Sequence, residues 1–220
     1  DVWGCTWETS EDGITGTVVE HPLADWAAFS TYRAPDPALT DGLDIIDWEN
    51  IKKRLASQRQ SDRLAKGTLP HGHTFLRLLY LRGYENLMYD FADGEPRIER
   101  LCEMVEAFNL AVTERYLEAG VQMFGFPEDL GMQRGPMVSP EHFARYIQPS
   151  YHRLMTRVHD RQALVHKHSD GDIRAHRPRS KAFRAAFTAR WMSSFSPSAT
   201  RTSSSPVAGF SAGNRLPDAA

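Results

Sequence analysis

Polar side chains that can do chemistry follow an apolar stretch near the middle of the chain. Residues 121–126 are predicted to form a buried strand, and the loop after it carries Glu128, Asp129, Gln133 and Arg134. Barrels and open α/β sheets place their reacting groups at the carboxyl ends of strands. We therefore interpret Asp129 as catalytic and Glu128, Gln133 and Arg134 as substrate-binding, because a guanidinium can hold a carboxylate or phosphate with two hydrogen bonds.

A second group of polar residues follows a second predicted strand, residues 163–167. His168 comes directly after this strand, and Asp170 lies two residues further on. Imidazole and carboxylate groups both bind metals. We predict that His168 is catalytic and that Asp170 is either a ligand or a turn-forming residue.

The two loops are expected to face one crevice. A strand, a helix that begins at Ser139-Pro140 and a second strand form a βαβ unit, whose strands run parallel with their carboxyl ends on the same side of the sheet. His71 follows an earlier short strand, predicted at residues 67–70. It is expected to line the same pocket as a substrate-binding residue.

Each of these residues has a structural alternative. Arg134 could form a salt bridge with Glu128 or Glu141, and adjacent acids in a loop are usually solvated. Asp170 could form a turn beside a glycine, and a lone histidine such as His71 is most often structural.

The spacing of apolar residues predicts the elements that hold these loops. Ile98, Leu101, Val105 and Phe108 begin a series at helical steps that Gly120 ends. Alternation within residues 1–23 predicts a β-hairpin. Further helices are predicted at residues 44–64, at residues 75–91 with a break at Gly83, and after Ser139 with a kink at Pro149.

The composition indicates one soluble domain. The chain has 220 residues, of which 41% are hydrophobic and 25% are charged, enough for a sizeable core. Cys5 and Cys102 form neither a disulfide framework nor a zinc-finger pattern, which favours a cytoplasmic setting. No apolar run approaches the roughly 20 residues of a membrane span. The chain begins with Asp1 rather than Met, so we expect it to be a piece of a longer protein.

Several motifs, in this order, resemble the uroporphyrinogen decarboxylase superfamily, most closely its decarboxylase-like, methyltransferase-related branch. They are Leu81-Arg-Gly-Tyr-Glu-Asn-Leu87, Glu128-Asp-Leu-Gly-Met-Gln-Arg-Gly135, Ser139-Pro-Glu-His-Phe143, Ile147-Gln-Pro-Ser-Tyr151 and His168-Ser-Asp-Gly-Asp-Ile-Arg174. The resemblance implies an α/β fold, a (β/α)8 TIM barrel with its active site at the carboxyl face. Residues 1–174 are then predicted to form a partial barrel of the uroporphyrinogen decarboxylase type.

The resemblance implies two activities with different requirements. Decarboxylase members act without a cofactor: a carboxylate stabilises the protonated pyrrole, and arginines hold the substrate acids. Methyltransferase members bind Zn²⁺ through a His-x-Cys pair and a later Cys, activate a thiol and take a methyl group from a corrinoid protein. His168 falls on the histidine of that pair, whereas Asp170 stands at the position of its cysteine. The resemblance therefore implies that a metal site would be formed by His168 and Asp170.

The end of the chain departs from the family pattern. From Ile173 onward it holds eight Lys or Arg residues against Asp218 alone, while residues 1–172 hold 18 Lys or Arg against 27 Asp or Glu. Trp191-Met192-Ser193, read one base earlier in its codons, gives Asp-Val at the position of the family's Gly-Val-Asp-Val strand. We hypothesise that residues 175–220 are a frameshifted, disordered C-terminal tail, and that the chain is impaired as a catalyst.

These observations rank the candidate functions. The first is a fragment of an enzyme that decarboxylates a tetrapyrrole or a related small carboxylated substrate. The second is a zinc-dependent methyltransferase with a corrinoid protein as partner, and the third is a non-catalytic or pseudogene-derived binding protein. A basic tail that binds nucleic acid is the least favoured interpretation.

Overall fold

The structure, a computed structural model, describes residues 1–9 and 16–176. Strands and helices alternate through most of this part of the chain. The strands are β1 (Thr6–Glu8), β2 (Thr17–Glu20), β3 (Lys66–Thr68), β4 (Met123–Pro127), β5 (Gly131–Met132), β6 (Gly135–Pro136) and β7 (Leu164–His168). The α-helices are α1 (Trp48–Gln60), α2 (Phe75–Arg82), α3 (Tyr84–Asp93), α4 (Arg97–Glu118), α5 (Pro140–His142) and α6 (Gln148–Asp160).

The central sheet consists of three parallel strands in the order β3-β4-β7. Phe124 of β4 pairs with Gly67 of β3 and with Val165 of β7. Helices α2 to α4 connect β3 to β4, and the α5–α6 region connects β4 to β7. The predicted βαβ unit with parallel strands is therefore confirmed.

The described helices cover one face of this sheet. Phe124 and Phe126 are fully buried, and the Phe124 ring lies 5.4 Å from the ring of Tyr116 in α4. Because side chains alternate between the faces of a strand, Met123 and its neighbour Leu164 lie on the opposite face, where Leu164 is 57% exposed. In a closed barrel this second face would form the interior.

The long helix α4 forms where the apolar spacing predicts it. Ile98, Leu101, Val105 and Val112 are buried along one side, and Gly120 follows the helix with a left-handed φ of 82°, a conformation that glycine adopts without strain. The polar side of α4 pairs with α6: Glu106 and Glu114 accept hydrogen bonds from arginines of that helix. Burial and charge pairing thus join α4 and α6 into one layer.

The helix after Ser139 contains a π-helical segment, Phe143–Ile147, between α5 and α6. The hydroxyl of Ser139 accepts a hydrogen bond from the backbone of His142, as expected for an N-cap. Pro149 then lies in the first turn of α6, where its missing N–H costs no intrahelical hydrogen bond. The structure places the irregularity before Pro149, as a π-helical segment.

The other predicted elements are present with shorter bounds. The N-terminal hairpin is formed by β1 and β2, which are antiparallel, and residues 10–15 between them lie outside the described residues. The helix predicted at residues 44–64 is α1, and Gly83 separates α2 from α3 with a φ of 82°. A short 3-10 helix, Trp26–Ser30, precedes them.

The described part of the chain confirms an α/β fold. The predicted disordered tail, residues 175–220, lies outside the described residues except for its first two positions. Among the described helices, none is both long and apolar enough to cross a membrane.

The one-sided cover of the sheet predicts unequal effects of two truncations. Phe124→Ala should lower the free energy of unfolding by about 3–5 kcal/mol, because it empties a packed site. Leu164→Ala, on the exposed face of the neighbouring strand, should change it by about 0.5 kcal/mol or less. Urea unfolding followed by circular dichroism measures both. A large loss for Leu164→Ala would show that this face is covered in the folded protein.

Candidate functional site

The polar residues predicted from the sequence meet at the carboxyl edge of the central sheet. Strands β4 and β7 end level with each other, because Pro127 pairs with His168. Asp129 follows β4, and the loop that leaves β3 towards α2 carries His71. Three successive parallel strands therefore bring His71, Asp129, His168 and Asp170 to one place, which we call the strand-end cluster.

Asp129 stands at the centre of the strand-end cluster. Its Oδ2 lies 3.3 Å from Nε2 of His71, and its Oδ1 lies 3.9 Å from Nε2 of His168. The same nitrogen of His168 lies 3.6 Å from Oδ1 of Asp170. The side chains of His71, Asp129 and His168 are 48%, 33% and 37% exposed, respectively. The cluster is thus open to a ligand from solvent.

The two loops that carry Asp129 and His168 are fastened to each other. The backbone N–H of Asp170 donates a 2.8 Å hydrogen bond to Oδ1 of Asp129, and the N–H of Leu130 donates to the Ser169 hydroxyl. A Cβ on Gly171 would lie 2.3 Å from the backbone of Gly131, closer than any real contact of this kind. Glycine at both positions lets the two loops touch backbone to backbone.

Glu128 lies on the other side of the same loop and is fully buried. Its Oε1 accepts hydrogen bonds of 2.9 Å from the backbone N–H groups of Thr74 and Leu76 at the start of α2. Its Oε2 accepts a hydrogen bond from the hydroxyl of Tyr151 in α6. These are the contacts of a residue that positions neighbouring elements, and substrate binding by Glu128 stays a prediction.

The pKa of Glu128 reflects two opposing effects. Burial raises the pKa of a carboxyl group, but the charge of the nearby Lys167 and the hydrogen bonds from Tyr151 and Leu76 oppose this effect, and the pKa of Glu128 is lowered overall. Glu128 is therefore ionised in the folded protein. A buried carboxylate with three donors holds the elements around it firmly, because hydrogen bonds to a charged group are stronger than those between neutral groups.

Lys167 and His73 surround this carboxylate beneath the cluster. Nζ of Lys167 donates to the backbone oxygens of Glu128 and His168, at 3.1 and 2.9 Å, and so joins the ends of β4 and β7. Burial lowers the pKa of Lys167 to about 8 and the pKa of His73 to about 3. Within the described residues, Nε2 of His73 is buried without a hydrogen-bond partner.

Gln133 and Arg134 form the turn between β5 and β6, and both are exposed. Arg134 makes no hydrogen bond or ion pair with any other described residue, so the alternative pairing with Glu128 or Glu141 is not formed in that part of the chain. The guanidinium is therefore free to bind an anion. Its role in substrate binding stays a prediction.

The motifs did not indicate the roles that several residues have in this region. Tyr151, Ser169 and Gly171 were visible in the sequence only as members of motifs, and Lys167 and Thr74 carried no signal of a role. The alternation of β7 could have indicated that Lys167 faces the helices, because its neighbour His168 faces the opposite side.

Parallel strands that alternate with helices and carry polar side chains at their carboxyl edge define an α/β protein. A sequence model of the Uroporphyrinogen decarboxylase (URO-D) family matches residues 2–202. The chain belongs to this family, as its motifs predicted. The match extends beyond residue 174, and the division of the chain at that point stays a prediction.

A solved structure shows the same fold. A methyltransferase from Methanosarcina mazei superposes with a TM-score of 0.56 at 13% sequence identity, over 79% of this chain and 49% of the methyltransferase. The chain therefore spans about half the length of that protein. No curated protein matches the chain. These findings confirm the fold class, an α/β fold of the uroporphyrinogen decarboxylase type.

The Zn²⁺ ion of the methyltransferase branch is a poor match for the donor atoms of the cluster. One ligand atom each from Asp129, His168 and Asp170 lie within 4.8 Å of one another, so the three could hold a metal ion. Zinc that activates a thiol is held by soft sulfur ligands, whereas two of these three donors are carboxylates, which are hard ligands. The residues present do not fit a thiol-activating zinc.

Removal of the Glu128 carboxylate should destabilise the protein. Glu128→Ala leaves the N–H groups of Thr74 and Leu76 and the Tyr151 hydroxyl without their acceptor, at a cost of about 3 kcal/mol or more. Urea unfolding at neutral pH measures the loss. Glu141→Ala removes an exposed acid from the next helix and should change stability by about 0.5 kcal/mol or less. Equal effects of the two variants would contradict the anchoring role.

The buried His73 predicts a pH dependence of stability. Its pKa is about 3 in the folded protein against an ordinary 6.5, so between these values the unfolded chain binds the extra proton and stability falls as the pH is lowered. When the pH is lowered from 7.5 to 5, this group should reduce the free energy of unfolding by about 2 kcal/mol. His73→Gln should abolish this part of the slope in unfolding curves measured at both pH values. An unchanged slope would show that His73 is not buried in its neutral form.

Proposed function

We propose that the chain carries the strand-end site of an enzyme that removes a carboxyl group from a small carboxylated substrate, such as a tetrapyrrole acid. The observation that carries this proposal is the position of Asp129 between the imidazoles of His71 and His168 at the exposed carboxyl edge of the sheet. Membership of the uroporphyrinogen decarboxylase family supports the same class of reaction.

The chemistry of decarboxylation explains why such a cluster is useful. When the C–C bond breaks and CO₂ leaves, the bonding electron pair stays on the substrate, and a positively charged centre must receive it. Asp129 supplies a fixed negative charge that stabilises a positive charge beside it, which is electrostatic catalysis in a prearranged site. His168 lies at the same place and can hold the proton that later replaces the lost carboxyl group.

In this proposal, Arg134 and Gln133 bind an acidic side chain of the substrate. Asp129 and Asp170 repel a substrate carboxylate, so an acidic side chain of the substrate would bind away from them. The exposed guanidinium of Arg134 offers a two-point contact for such a group, and Gln133 beside it offers an amide donor. The preferred substrate therefore has more than one carboxyl group: one that is removed at Asp129 and His168, and another that binds Arg134.

Methyl transfer is the second candidate. The methyltransferase from Methanosarcina mazei shares the fold, and the methyltransferases that the motifs resemble take their methyl group from a corrinoid protein. The ligand atoms that Asp129, His168 and Asp170 bring together favour a metal-dependent reaction of this kind. The mismatch between these donors and a thiol-activating zinc counts against a thiol as acceptor.

Release of CO₂ tests the first candidate. The full chain, incubated with uroporphyrinogen and with simpler polycarboxylic acids, should release CO₂, and Asp129→Asn should slow the release about 100-fold, the usual size of such contributions. Asp172→Asn is the matched control, because Asp172 pairs with Arg174 in the neighbouring loop and should leave the rate unchanged. Release that Asp129→Asn does not alter, or no release from any acid, would reject the proposal.

A further inference from the structure

We infer that a second copy of this chain binds to the loop at residues 39–45 through a contact with two-fold symmetry. The loop leads into α1, and residues 39–54, which include the first turns of that helix, form what we call the loop–α1 patch. This inference goes beyond the proposed function and does not depend on it.

Three large apolar side chains of this loop face solvent. Leu39, Leu43 and Ile45 are 63%, 58% and 87% exposed, respectively. An antiparallel bridge between Thr40 and Ile45 brings the two arms of the loop together. Apolar residues that are exposed singly are common on protein surfaces, whereas several in one place mark a contact with another molecule. The loop therefore has the composition of an interface.

Hydrogen bonds hold the loop in one conformation. The N–H of Ile46 donates to the backbone oxygen of Leu39, and the indole N–H of Trp3 donates a 3.1 Å hydrogen bond to the backbone oxygen of Gly42. The carboxylate of Asp41 accepts hydrogen bonds from two further N–H groups of the loop. These contacts order the loop although its apolar side chains are exposed. A surface that is ordered before association loses little conformational entropy when a partner binds.

Charges of both signs lie in the loop–α1 patch. Asp44 stands between two of the exposed apolar residues, and Lys53 lies in the second turn of α1; both are exposed. Within the part of the chain that the structure describes, neither side chain makes a hydrogen bond or an ion pair. The patch thus offers one acid and one base that a partner can pair.

This combination makes the patch complementary to itself. In a two-fold dimer every contact occurs twice, so Asp44 of one copy can face Lys53 of the other, and the reverse. The side chains of Leu43 and Ile45 from both copies then meet near the symmetry axis. A second copy pairs both charges with one surface, whereas a partner of a single charge sign would leave one of them unpaired.

Sedimentation equilibrium of the full chain tests the inference. The chain should change from the mass of one chain to the mass of two as its concentration rises, with a dissociation constant on the order of 10 μM, because the contact is at the small end of specific interfaces. Ile45→Asp should raise this constant about ten-fold or more, since it puts a charge into the apolar centre. Tyr89→Asp is the matched control: it replaces a 66% exposed side chain of α3 and should leave the constant unchanged.

A charge exchange tests the pairing itself. Asp44→Lys and Lys53→Glu should each raise the dissociation constant about three- to ten-fold, because each brings like charges together. The chain with both substitutions should return to within about two-fold of the unchanged chain. Asp44→Lys makes the net charge of −2 less negative and Lys53→Glu makes it more negative, so weakening by both cannot come from overall repulsion. Circular dichroism should show the same fold for every variant, since the replaced side chains are exposed.

Three results would overturn the inference. The first is a full chain that stays monomeric at about 200 μM, which would leave the patch to a different partner. The second is a dimer that Ile45→Asp leaves intact, which would place self-association on another face. The third is a double charge variant that associates no better than the single ones. None of these outcomes changes the CO₂ measurement, so the inference and the proposed function can fail independently.

Discussion

The buried carboxylate of Glu128 is the interaction on which the arrangement of the site depends. It joins three elements that are distant in sequence: the end of β4, the start of α2 and the first turns of α6. The first turn of a helix has N–H groups without partners, and Glu128 satisfies two of them at α2. The adjacent residue, Asp129, faces the cluster. Glu128 therefore holds this loop in place, while Asp129 remains available to contact a ligand.

The two faces of the sheet explain why neighbouring residues have such different surroundings. In β7, Lys167 points towards the helices and is held by backbone oxygens, while His166 and His168 lie on the face that the described helices do not cover. A shift of one residue in the strand register would exchange these faces. In β4, the buried Phe124 and Phe126 oppose such a shift, because it would bring both rings out of the core. The packing of these two rings thus helps to hold β4, and with it the Asp129 loop, in the register that the sheet shows.

The sequence predicted most of the fold because its signals are local and repeated. The apolar series in α4, the break at Gly83 and the Ser139 cap each depend on a few nearby residues, and the motifs identified the family. The predicted meeting of His71, Asp129 and His168 followed from one topological rule for parallel strands. The π-helical segment before Pro149 carries no such local signal. The burial of Glu128 was missed for a related reason: its partners Thr74 and Tyr151 are distant in sequence.

The contrast between the buried Glu128 and the partly exposed strand-end cluster bears on how this site can change in evolution. The fully buried Glu128, Lys167 and the backbone contact between Gly131 and Gly171 fix the positions of the loops, and such close contacts tolerate little substitution. The side chains of the cluster are partly exposed and contribute little to that framework, so their chemistry can be exchanged at low structural cost. Asp170 has the most exposed side chain of the cluster, at 73%. It stands at the position where the methyltransferase branch that the motifs resemble has cysteine. The chemistry of the cluster can therefore change at an exposed position such as Asp170, while Glu128 and its partners keep the loops in place.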